Sequence, residues 1–207
     1  GGNVTLTAGS LQTGSSISTI VGNLSLTGAS IVLVSQDAAR LSVDDLSVGV
    51  GATLSFGTQS GQLTVGGVFS NAGTIVKGAG TFVLTSPTVD TALATGGAAL
   101  NNLTVNGKVL VSDDLDVDGA LQVGGRLDLG SSSRIHDVLG NVTITNGGAL
   151  DLANAELRVS GTGKLVNVQS GGSLSMADSA KLKLGSGSDV DIAGSLVANG
   201  ATTAASI

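Results

Sequence analysis

The sequence predicts an all-β chain wound as a parallel β-helix, because three of its features coincide. A short unit, two apolar residues flanking one polar or small residue, recurs along its whole length; the units start roughly every six to nine residues; and Gly, Ser, Asn and Asp fill the gaps, which are too short for a helix. Three such strands per circuit, at about 18 to 25 residues each circuit, give about nine coils spaced about 4.8 Å apart. Drifting spacing favours a right-handed path with variable corners.

In the first half the units are Val4–Leu6, Leu24–Leu26, Ile31–Leu33, Leu41–Val43, Leu54–Phe56, Leu63–Val65 and Phe82–Leu84. The pattern weakens around Ser86-Pro87-Thr88 and Thr95–Ala99, where a loop or a change of cross-section is expected. It resumes as Leu103–Val105, Val109–Val111, Leu115–Val117, Leu121–Val123, Leu127–Leu129, Val142–Ile144, Leu150–Leu152, Leu157–Val159, Leu174–Met176, Leu182–Leu184 and Val190–Ile192. One solenoid domain over 1–207, with a seam at 86–100, is the expected organisation.

In each unit a period of two sends the flanking Leu and Val one way and the middle residue the other. Antiparallel hairpins are the main rival. They are disfavoured because the turns lack a regular two-residue Asn-Gly or Asp-Gly signature and the strands are shorter than those of a meander. The six-residue spacing from Leu103 to Leu129 looks like a left-handed hexapeptide helix, but it is not kept on either side.

Composition narrows the function. Charged residues are 12% of the chain, so Ser, Thr, Asn and Gly carry most of the solvent contact, while a mean hydropathy of +0.42 argues against disorder. Nine Lys plus Arg, no Trp and no Tyr leave neither a phosphate-neutralising patch nor a stacking platform, so nucleic acid is excluded as a partner. No window is apolar for long enough to make a membrane helix. Without cysteine there are no disulfides and no thiolate metal sites. The start at Gly1-Gly2 suggests a removed leader or a piece of a longer chain.

Chemistry-bearing residues are sparse. The single histidine, His136, lies near Ser131–Ser133 and Asp137 and reads as a polar corner residue rather than half of a catalytic dyad. Paired carboxylates on a β-helix would suit a polysaccharide-acting enzyme, yet Glu156 is the only glutamate and no Trp or Tyr can stack on a sugar ring. The densest acidic run, Asp113 to Asp118, puts Asp114, Asp116 and Asp118 on one outer face about 7 Å apart. Calcium is the metal such a turn would take, and solubility or ion pairing is the plainer role. Arg126, Arg158, Lys181 and Lys183 are expected one coil away from Asp128, Asp151, Asp189 or Asp191, an arrangement that avoids stacking like charges. Thr5-x-Thr7 and Thr143-x-Thr145 are too few for an ice-binding rank.

Gly140-Asn141-Val142-Thr143-Ile144-Thr145-Asn146-Gly147-Gly148-Ala149-Leu150-Asp151-Leu152 and Ser170-Gly171-Gly172-Ser173-Leu174-Ser175-Met176 resemble the passenger domains of autotransporters and filamentous-haemagglutinin-type exoproteins. The resemblance covers most of the chain, rests on composition and period, and carries over no functional residue. It implies a secreted or cell-surface β-helix with a non-catalytic structural or adhesive role. Its partner would be a host or cell-surface ligand, or further copies of itself joined laterally or head to tail where no capping segment is evident. Surface-layer and sheath proteins and phage fibre shafts share the same grammar.

Overall fold

A computed structural model describes residues 2–13, 17–28, 31–34, 39–56, 60–86, 91–130 and 134–199, and the backbone alone of 31–34. Gly1, Pro87 and Thr88 of the expected loop, and Ser131–Ser133 lie outside the described residues. Among the described residues every element is a short strand and every strand pairing is parallel. The chain is a parallel β-solenoid.

Three faces make up the coil. The first face is a ten-stranded sheet running from Val4–Leu6 to Ser195–Ala198, and the third is a nine-stranded sheet from Ile17–Thr19 to Asp189–Ile192. These ladders correspond to nine circuits on one face and eight on the other. The second face is divided into two four-stranded sheets, from Ser10–Thr13 to Thr74–Val76 and from Asp116–Val117 to Lys181–Leu184. Between them the chain passes the second face without a strand, and only an isolated bridge from Leu100 to Val117 marks the missing level.

Register explains the spacing in the sequence. A circuit takes 18 residues where Val109 pairs with Leu127 and 24 where Leu150 pairs with Leu174. Three strands in 18 residues give the six-residue spacing of Leu103 to Leu129, so that run is the tightest stretch of one continuous solenoid.

The interior is a set of aliphatic columns. On the third face Leu103, Leu121, Val142 and Val166 stack in register beside Val105, Val123, Ile144 and Val168, all wholly buried. Each such side chain contributes about 1.5 to 3 kcal/mol relative to exposure. Phe56, Phe69 and Phe82, the only aromatics, form one buried cluster: Phe69 and Phe82 meet edge to face at 4.7 Å between centroids, and Phe56 stands 6.4 Å from Phe82.

Corners are tight. A side chain on Gly125 would meet the carbonyl oxygen of Gly107, in the coil before it, at 2.1 Å. Gly96, at φ +66°, combines a left-handed backbone with an approach of 2.5 Å to the Asn71 carbonyl.

Candidate interaction surface

His136 is not the corner residue that its polar neighbours suggest. It occupies an inward position on the strand Ile135–Val138, is wholly buried, and stacks in register on Leu157 and then Leu182. Both ring nitrogens are engaged by backbone. Nδ1 accepts the N–H of Leu115 at 3.0 Å, so Nε2 carries the proton and donates to the Leu129 carbonyl at 3.2 Å. Burial pushes its pKa below the usual histidine value, against the opposing pull of the Leu129 carbonyl. The ring is therefore neutral near pH 7 and fully occupied.

The acidic run lies where the second face resumes. Asp114 is exposed, while Asp116 and Asp118 are half-buried beside the inward Leu115 and Val117. Asp118 forms an ion pair with Lys77, which belongs to the coil on the far side of the missing level. Asp113 accepts the Gly96 N–H at 2.6 Å. Among the described residues no three His, Cys, Asp or Glu side chains converge closely enough to hold a metal ion. Asp116 titrates above the ordinary carboxylate range, first because of burial, then because Asp137 and Asp114 face it, with Lys77 acting in the opposite direction.

Of the expected one-coil pairs Arg126 with Asp151 forms, while several charged rungs stack like on like. Asp116 pairs with Asp137, Arg158 with Lys183, Lys108 with Arg126, and Asp128 with Asp151. Like charges thus sit directly over one another, which is unfavourable in a sheet. Opposite charges meet both in register, Asp137 over Arg158 and Glu156 over Lys181, and obliquely. Arg126 reaches Asp128 on its own strand at 3.1 Å and Asp151 one coil on at 3.7 Å; Arg158 and Lys183 both reach Glu156, at 2.5 and 2.8 Å. Those two cations hold Glu156 below its usual carboxylate value, Lys183 contributing first. Asp189 and Asp191 are on the third face, away from Lys181 and Lys183 on the second.

The second face of the C-terminal half therefore carries a graded charge pattern. Asp116, Asp137, Arg158 and Lys183 follow one another in a single outward column, two anions and then two cations. Exposed Ile135 and Leu139 flank Asp137.

The third face is uncharged over most of its length. Ser42 and Thr64 stack in one outward column and, past a buried Val83, the same column continues through Thr104, Gln122, Thr143 and Asn167 to Asp191. Thr5 and Thr143 belong to different faces, so the two Thr-x-Thr stretches form no common rank. Sequence reasoning located the aspartates but not the columns, because register depends on the length of every corner.

Comparison with protein-family models, with curated proteins and with solved structures finds no match to this chain.

Proposed function

We propose that this chain is a non-catalytic structural or adhesive segment of a secreted or cell-surface β-helical protein, of the autotransporter-passenger or filamentous-haemagglutinin kind. The observation that carries the reading is the third-face column from Thr104 to Asp191, one hydrogen-bonding side chain per coil on consecutive rungs. Such an array repeats hydroxyl and amide groups about every 4.8 Å on a scaffold that needs no ordering to bind. It suits an extended polar ligand that makes many weak contacts, such as a glycan or a matrix polymer, since linked weak contacts multiply.

The test is retention of cells or glycan-coated surfaces by beads carrying the purified chain. Replacing Thr104, Gln122 and Thr143 together by Lys should abolish retention while leaving the circular dichroism spectrum unchanged. Retention equal to that of the parent chain would remove the third face from the reading. New reducing ends released from a polysaccharide panel would replace adhesion with enzymatic cleavage.

A further inference from the structure

We propose that two copies of this chain pair side by side, antiparallel, through the outer surface of the strands Asp116–Val117, Ile135–Val138, Glu156–Val159 and Lys181–Leu184. The column Asp116, Asp137, Arg158, Lys183 reads minus, minus, plus, plus along the axis. Turned end for end, it reads plus, plus, minus, minus.

A two-fold axis parallel to the strands, between the second and third of these rungs, would bring such a surface onto a second copy of itself. Asp116 then faces Lys183 of the other copy, and Asp137 faces Arg158. The neighbouring column follows the same rule: Lys181 stacks over Glu156 and Ile135, and Asp114 lies two residues before Asp116. Asp114 thus faces Lys181. Glu156, already bound to Arg158 and Lys183 of its own chain, faces the exposed Ile135 instead.

Within one copy the register forces like charges together, Asp116 over Asp137 and Arg158 over Lys183. Asp137 stands over Arg158, and Arg158 and Lys183 both reach Glu156, within one copy; pairing adds an opposite charge of the other copy to each of the four. Burial first, and then Asp137 and Asp114, raise the pKa of Asp116, so like charges add to the cost of ionising it there.

Four rungs of two to four residues present a patch on the order of 200 Å² per copy, well under the roughly 800 Å² per partner of a stable complex. The association is accordingly weak and electrostatic, and salt screens it over a Debye length of about 8 Å at physiological ionic strength. It holds whether or not the third-face column binds a surface.

Sedimentation velocity of the whole chain up to millimolar concentration tests it. Dimers are expected at about 20 mM salt, with dissociation at least about tenfold easier at about 500 mM. Arg158→Asp with Lys183→Asp makes the column wholly acidic, and Asp116→Lys with Asp137→Lys makes it wholly basic. Each variant alone should be monomeric, and an equimolar mixture should recover the dimer. Circular dichroism checks that each is folded; if either is not, the neutral pair Asp116→Asn with Asp137→Asn takes its place and should be monomeric alone. A parent chain that stays monomeric at low salt, a dimer indifferent to salt, variants that dimerise like the parent, or a mixture of folded variants that fails to pair would each overturn the proposal. A monomeric chain that still retains cells on beads would remove the pairing and leave the adhesive reading standing.

Discussion

His136 accepts the backbone N–H of Leu115, one coil earlier, at 3.0 Å, so two turns of the solenoid are joined through its interior as well as along its ladders. The same ring donates to Leu129, which makes a neutral imidazole part of the structure. Its folded pKa is depressed by burial, so the unfolded chain takes up the proton first. The stabilisation is complete above the unfolded value of about 6.5 and is lost as pH falls through it towards the folded value. Thermal melts between pH 7.5 and 5 should show Tm falling with acidity. His136→Leu fits the Leu157 column but orphans two backbone groups at about 1 to 3 kcal/mol each. It should lower Tm at pH 7.5 and flatten the slope; an unchanged slope would assign the titration elsewhere.

Gly125 and Gly147 separate two kinds of glycine requirement. Gly147 has φ +80° with open space around it, so Gly147→Ala should cost only the left-handed backbone penalty of about 1 to 2 kcal/mol. At Gly125 the added methyl would run into the Gly107 carbonyl and force the coils apart. Chemical denaturation should rank Gly125→Ala as the more destabilising of the two.

Phe82 touches both other aromatic rings and is essentially unexposed. Phe82→Ala should cost about 3 to 5 kcal/mol, measured by denaturant unfolding. A loss below about 1 kcal/mol would mean that the cluster collapses around the gap.

Lys77 lowers the pKa of Asp116 while pairing with Asp118. Lys77→Ala should move the Asp116 titration upward in a carboxyl-carbon NMR experiment. Both partners of the ion pair are over a third exposed, so the loss of stability should stay within about 1 kcal/mol. A fixed Asp116 titration would show that Lys77 does not face it.

The fold was legible because an apolar residue at every second position survives in most strands. Leu103, Leu121 and Val142 announce their columns without help from the rest of the chain. Three of the strands that escaped notice have an inward residue that is polar or carries a ring nitrogen, whereas Leu46–Val48 and Leu165–Val168 bury only apolar side chains and escaped it as well. Phe69–Asn71 buries Asn71, which donates to the Thr95 carbonyl at 2.6 Å; Thr91–Ala94 buries Thr91; Ile135–Val138 buries His136. Each satisfies its polar atoms inside the coil, a solution that single-residue hydropathy reads as a turn. The charge columns were hidden for a different reason. Whether Asp116 falls over Asp137 is decided by the number of residues in the intervening corners, and no local pattern encodes that sum.

The absent strand on the second face has a mechanical consequence. At the level of Thr95 to Leu100 the rod is joined by two ladders on one side and by two ladders and a single bridge on the other, where the levels flanking it have three ladders. Tension along the axis is shared there among fewer hydrogen bonds, and the Lys77–Asp118 ion pair is a strap across that level. A solenoid under load yields first at its thinnest rung, so stretching this one should part the chain into an N-terminal and a C-terminal stack, each still coiled.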